Sequence, residues 1–352
     1  MSMANDHGEI APVPTPSGWR QHDVHRPKPP VVEPGEGPVG VAAPKDAIVL
    51  FDGSGLDAWT SAGGGPAAWN VSEGALEVVP GKGAIRTKES FGDVQLHVEW
   101  AAPNPPKGGG QNRGNSGIFL MGCFELQVLD SFQSESYADG MAGAIYGQYP
   151  PLYNATRPPG EWQSYDIAFR APRFDSNGEL REPARMTVFL NGVLIQNNEA
   201  LVGQTSWLES MPYEKGVVRG PIELQDHRHP TRFRNIWLRE LPERPAPTEE
   251  EKRIPKAIDL TAAELDALAG AYATGADGRG TRMEVARRGD HLTFKVPFRP
   301  TEVRLVPIAP LHFEMRQTDG RLIFQKDDQG RVTGAKLTIG DGGENQLTKV
   351  EP

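Results

Sequence analysis

The chain has 352 residues and a formal net charge of −9. That length exceeds one ordinary domain and predicts two, while the acidic balance, with dispersed Lys and Arg, argues against nucleic acid as the main partner. Cys123 is the only cysteine, which excludes an intrachain disulfide and a zinc–thiolate cluster, and no apolar run is long enough for a transmembrane helix.

Residues 1–45 hold nine prolines and little periodicity, so they read as an extended, proline-rich arm. The start lacks an apolar h-region, and no secretory signal is visible; a cytoplasmic location and export with the signal removed both stay open. Trp19 and the run His22-Asp23-Val24-His25-Arg26-Pro27 are unusual for a free tail. The segment from Trp19 to Pro34 is therefore expected to lie on the body of the protein, with the Trp19 side chain buried.

Residues 46–241 read as all-β. Ile48 to Phe51 is a strand. Glu73-Gly74 and Asn191-Gly192 are two-residue hairpin signals between apolar runs. In Val94 to Trp100, Leu96, Val98 and Trp100 face one way and Gln95, His97 and Glu99 the other. Arg234 to Leu241 closes the series. Many short strands with regular turns and almost no helix predict a β-sandwich. Residues 242–256 form a charged, proline-rich linker. Residues 257–352 read as a second, small antiparallel β domain, opened by a short helix whose Thr261-Ala-Ala-Glu264 start is a capping box.

Two strands carry polar residues on one face. In Phe124 to Leu129, Glu125 and Gln127 oppose Leu126 and Val128. In Ile222 to His227, Glu223, Gln225 and His227 oppose Ile222 and Leu224. If the strands are neighbours, Glu125, Gln127, Gln225 and His227 share one face; the bland alternative is a solvated sheet face with no function. The loop Pro103 to Asn112, with Gly108-Gly-Gly110, is a candidate lid, followed by Arg113 and Asn115. It has no Lys-Ser/Thr and no following helix, so it is not a phosphate loop. Asp130, Tyr146 and Tyr165 are candidate rim residues. His227 and His229, with Glu125, are a set that suits a divalent cation, although a single His acting as acid or base is the preferred reading. Ser116 lacks the G-x-S-x-G context of a hydrolase nucleophile. Glu125 has no second carboxylate on its own strand, only Glu99 and Glu223 elsewhere, which counts against a two-carboxylate glycosidase.

Leu50-Phe-Asp-Gly-Ser-Gly-Leu-Asp-Ala-Trp59, Asn115-Ser-Gly-Ile-Phe119, Phe124-Glu-Leu-Gln-Val-Leu-Asp130, Gly143-Ala-Ile-Tyr146, Gly160-Glu-Trp162, Phe189-Leu-Asn-Gly-Val193, Leu224-Gln-Asp-His227 and Arg232-Phe-Arg-Asn-Ile236 occur in that order. Together they resemble the 3-keto-disaccharide hydrolase family, which includes 3-keto-glucoside 1,2-lyases and 3-keto-2-hydroxyglucal hydratases. The resemblance implies a concanavalin A-like jelly roll with a concave sugar-binding face. It also implies a small carbohydrate as partner, and elimination, hydration or net hydrolysis at a 3-keto-glucoside. A C3 ketone acidifies the C2 proton, so one base, donors to the enolate oxygen and one acid suffice. Face alternation and motif position then give Glu125 and His227 as catalytic candidates. Asn115, Gln127, Asp130, Tyr146, Gln225 and Arg234 are the substrate-binding candidates, with Arg234 near the carbonyl oxygen. No metal ligand set and no cofactor are assigned. The competing class is a non-catalytic, lectin-like carbohydrate-binding protein.

Overall fold

Two-residue hairpins set the strand pairing. Asn191 and Gly192 take φ of +52° and +83°, the mirror-image turn that matches strand twist. They join Arg185–Leu190 to Val193–Ala200, with Leu190 opposite Val193. Glu73 and Gly74 do the same at +52° and +71° between Asn70–Ser72 and Ala75–Glu77. The computed structural model describes residues 15, 17–243, 256–275, 277–315, 317–340 and 343–351. The chain divides into two compact units, the first ending at Glu243. Most of the expected linker (244–255), and residues 1–14 and 16 of the arm, lie outside the described residues.

Among the described residues the first unit is a concanavalin A-like sandwich of an eight-stranded and a five-stranded antiparallel sheet. Val94–Ala101 sits inside the larger sheet, between Gln163–Arg170 and Arg232–Glu240. It sends Leu96, Val98 and Trp100 into the core against Ile118, Leu126 and Leu224 of the smaller sheet. Each fully buried side chain of this size contributes about 1.5–3 kcal/mol of apolar transfer.

The opposite face of Val94–Ala101 is covered too. His97 and Glu99 point away from the core, yet they are 1% and 0% exposed. The arm covers them. Gly40 donates its N–H to Glu99 Oε1 at 2.5 Å, and Asn235 Nδ2 donates both to Glu99 Oε1 at 2.8 Å and to the Val41 carbonyl at 2.8 Å. Arg234 Nε donates to Glu99 Oε2 at 2.7 Å, and His97 Nδ1 pairs with Asp166 Oδ1 at 2.7 Å. The His97 ring stacks on Trp237. Further along the arm, Val31 forms a parallel bridge with Asn154, and Arg157 donates to the Gly35 carbonyl at 2.9 Å.

The segment from Trp19 to Pro34 does lie on the sandwich, but Trp19 does not hold it there: its side chain is 38% exposed. Polar residues do that work. Arg26 is buried near Asp139, and the His22 N–H donates to Asp139 Oδ2 at 3.0 Å.

The second unit opens with the helix Ala262–Leu268. Both halves of its capping box form: Thr261 Oγ1 accepts from Glu264 N at 3.3 Å, and Glu264 Oε2 accepts from Thr261 N at 2.7 Å. Eight strands then close into an antiparallel barrel, because the first, Gly270–Thr274, pairs with the last, Asn345–Val350. Tyr272, Phe294, Phe313, Phe324 and Leu347 fill the core. Closure removes sheet edges. The sequence hid it, since Gly270-Ala-Tyr-Ala-Thr274 carries only one large apolar residue.

Candidate active site

The smaller sheet builds the site. Ser116–Leu120 lies between Phe124–Val128 and Glu223–Leu224. Register places Phe119 between Glu125 and Glu223, and Gly117 opposite Gln127. Gln225 N donates to the Gly117 carbonyl at 3.0 Å, so Gly117, Gln127 and Gln225 share one row. From these rows the side chains of Phe119, Glu125, Gln127 and Gln225 line a cavity of about 450 Å³, a size that suits a small ligand.

The cavity brings together six of the eight expected residues: Asn115, Glu125, Gln127, Tyr146, Gln225 and His227. The strand expected over Ile222 to His227 is regular only at Glu223–Leu224, with single backbone bonds continuing it at Ile222 and Gln225. Asp226 ends it: Oδ1 accepts from Arg228 N at 2.8 Å, Arg228 has φ +64°, and Pro230 follows. His227 still faces the cavity from this turn, its ring parallel to His229 at 5.8 Å. Among the described residues no group of three His, Cys, Asp or Glu side chains is arranged to hold a metal ion, so His227, His229 and Glu125 do not form the cation set considered above.

Asp130 and Arg234 are not in the cavity lining. Asp130 Oδ2 accepts from Arg113 Nε at 2.6 Å. Arg234 belongs to the larger sheet, where Phe233 takes the core side and leaves Arg234 on the outer face, paired to Glu99 and over the Trp162 ring at 4.1 Å. The carboxylates considered as partners are also elsewhere: Glu99 is in that outer cluster, and Glu223 is absent from the lining.

Loops supply what the sequence did not reveal: Gln111, Tyr137, Thr205, Ser206 and Trp207, along with the strand residue Phe119. The glycine-rich loop delivers Gln111 on a 3-10 turn, Gly110–Asn112, and pins it. Gln111 Nε2 donates to the Gly140 carbonyl at 2.8 Å, and Gln111 Oε1 accepts from Gln127 Nε2 at 3.0 Å. Asn115 Nδ2 donates to the Gln111 carbonyl at 2.8 Å. These bonds orient the Gln111 and Gln127 amides; Oε1 of Gln127 and Oε1 of Gln225 have no protein partner. Buried acceptors of that kind are costly unless a ligand hydroxyl meets them.

Two groups have opposed proton affinities. Glu125 is buried, and desolvation alone pushes its carboxyl up to about 8, so it stays protonated at neutral pH. His227 is lowered, first by burial and then by the neighbouring His229, so its imidazole stays neutral. One cavity thus holds a protonated carboxyl and a neutral imidazole. Beside Glu125, the Tyr137 and Tyr146 hydroxyls share a 2.7 Å hydrogen bond, and burial raises both phenols, keeping them neutral donors.

Gly117 makes room for the Glu125 carboxyl. A Cβ there would lie 2.5 Å from Glu125 Oε1 and 3.0 Å from Phe119 Cε2. A glycine inside a strand is the sequence signal for such a close approach. Gly117→Ala is expected to lower turnover about 10²-fold by displacing the carboxyl, with an unchanged circular dichroism spectrum as the check on folding.

The sandwich and its polar cavity place the protein among carbohydrate-active enzymes. Residues 46–239 match the 3-keto-alpha-glucoside-1,2-lyase-like domain, and the chain belongs to that family. It is similar to a protein from Parabacteroides distasonis ATCC 8503 described as a "putative glycosyl hydrolase": identity is 46%, the TM-score 0.56, and the match covers 65% of this chain and 100% of that one. A second structure with the same description and organism is 20% identical with a TM-score of 0.42, covering 56% of this chain and 94% of that one. No curated protein matches the chain. No helix among the described residues is long and apolar enough to cross a membrane.

Proposed function

We propose that this enzyme cleaves 3-keto-glucosides, 3-keto-disaccharides included, by elimination across C1 and C2, and that the same site hydrates the resulting 3-keto-2-hydroxyglucal. The observation that carries the reading is the protonated Glu125 carboxyl and the neutral His227 imidazole in one cavity. His227 takes the C2 proton, and the C2–H electrons pass into an enolate at C3. A phenol of the Tyr137–Tyr146 pair donates to that oxygen. The enolate collapses, the C3 ketone returns, a C1–C2 double bond forms and the C1–O bond breaks. Glu125 gives its proton to the departing oxygen. The unpartnered Oε1 atoms of Gln127 and Gln225 accept from sugar hydroxyls, and Asn115 helps fix the orientation of Gln127 through Gln111.

Elimination leaves His227 protonated and Glu125 as a carboxylate, the reverse of the starting pair. Hydration restores both. The Glu125 carboxylate takes a proton from water adding at C1, and the imidazolium returns one to C2. The two half-reactions sum to hydrolysis, and one proton inventory serves both.

Turnover of a 3-keto-glucoside in D₂O tests this. Recovered 3-keto-glucose is expected to carry deuterium at C2, read by NMR against an enzyme-free control. Product without C2 deuterium leaves direct displacement or return of the same proton by His227, and a C2-deuterated substrate separates them: a primary isotope effect on turnover keeps elimination, and its absence together with unlabelled product overturns it. A native protein that binds sugars but leaves 3-keto-glycosides and the glycal intact would be the lectin-like alternative.

A further inference from the structure

We propose that Trp207 is a stacking platform for the leaving-group ring of the substrate, a subsite that selects ring aglycones; this rests on the elimination reading above. Its indole is 70% exposed, although it lines the mouth of the cavity. A large aromatic ring at the mouth of a cavity is a ready stacking surface when its backbone is fixed, and here it is fixed from two sides. The arm holds the loop carbonyls: His22 Nε2 lies 2.6 Å from the Trp207 carbonyl, and Gln21 Nε2 donates to the Ser206 carbonyl at 3.0 Å. The sheet holds the loop start: Thr205 N donates to the Cys123 carbonyl at 2.8 Å, and Thr205 Oγ1 accepts from Glu125 N at 2.9 Å. A platform held this way loses little freedom on binding.

The direction of the leaving group follows from the same contacts. Glu125 protonates the departing oxygen, and its own N–H is bonded to Thr205, two residues before Trp207. The strand that carries the acid and the loop that carries the indole are thus joined at Thr205, and both side chains line the one cavity. The polar floor of Gln127 and Gln225 holds the keto ring, and the ring beyond C1 passes outward across the indole face.

The test compares Trp207→Ala and Trp207→Phe with the native enzyme on two substrates: a glucosyl-glucose disaccharide oxidised at C3 of its non-reducing ring, and methyl 3-keto-α-glucoside. The ratio of kcat/KM for the disaccharide to that for the methyl glycoside is expected to fall about 10-fold in Trp207→Ala, mainly through KM, and to be largely restored in Trp207→Phe. An unchanged ratio, with or without a loss common to both substrates, overturns the subsite. Calorimetry with unoxidised maltose and methyl α-glucoside separates this idea from the reaction. Selective loss of maltose affinity in Trp207→Ala supports the platform even if no 3-keto substrate is turned over, and that result would sink the elimination reading alone. Turnover in the native enzyme with no selective loss in either assay sinks the platform alone.

Discussion

Glu125→Gln is expected to lower kcat by at least about 10²-fold and His227→Ala by about 10²- to 10⁴-fold, the range for losing a positioned acid or base. Near-native turnover of a 3-keto-glucoside by both variants would show that neither group moves the proton. The two also predict the shape of the pH profile. Activity needs Glu125 protonated, so the alkaline limb lies near pH 8. It needs His227 neutral, so the acid limb lies below the ordinary histidine value of about 6.5. Glu125→Gln should also stabilise the fold. The native carboxyl holds its proton up to about pH 8, whereas the unfolded chain releases it near 4.5. Stability therefore falls as pH rises through that window, by about 1.4 kcal/mol per unit. The amide carries no such penalty, so the melting temperature of Glu125→Gln should exceed that of the native protein increasingly from pH 5 to 8.

The largest stability loss is expected at Glu99. It accepts from Gly40, Asn235 and Arg234 and faces His97 at 3.6 Å. Removing one member of a buried ion cluster leaves its partners uncompensated, at about 3–5 kcal/mol. Arg234 is about a third exposed, which favours the lower end. Glu99→Gln should therefore cost about 3 kcal/mol and lower the melting temperature of the sandwich by about 6–12 °C. A change within about 1 °C would mean the cluster adds nothing.

The pH dependence of that cost has a defined sign. Burial works against the charge of His97, but hydrogen bonds to Asp166 and Glu99 outweigh it and raise the ring to about 9. Its contribution is complete below about 6.5 and is lost as pH rises through 9. Burial also opposes the charge of Glu99, but hydrogen bonds from His97, Asn235, Gly40 and Arg234 outweigh it and lower the carboxyl to about 2. That contribution is complete above 4.5 and is lost as pH falls through 2. The difference between native and variant melting temperatures should be greatest at about pH 4.5–6.5.

Period-two alternation put Glu125 and Gln127 on one strand face and Gln225 on another, because a strand side chain can face only two ways; it did not show that Ser116–Leu120 lies between the two strands, nor that Glu223 stays out of the cavity. The hairpins at Glu73-Gly74 and Asn191-Gly192 were legible for a local reason too, since both central residues need positive φ. Gln111, Tyr137 and Trp207 were not legible: each reaches the cavity from a loop whose path is set by distant partners. Arg234 shows the limit of alternation. It lies on a defined face, but which sheet presents that face to the cavity is a tertiary fact. His97 and Glu99 show the converse, since a polar stripe reads as solvent-facing until another segment covers it.

The arm has a consequence for the order of assembly. Gln21 and His22 meet Asp139, Ser206 and Trp207 across 117 to 186 residues of sequence. On the ribosome these two residues emerge well before the surfaces they contact have been made. Contacts of such long span form late, because the intervening chain must first be organised. The sandwich core can therefore condense while the arm is still searching. Gln21 and His22 are then among the last residues to settle, and the walls of the cavity that they hold are completed after the sandwich core.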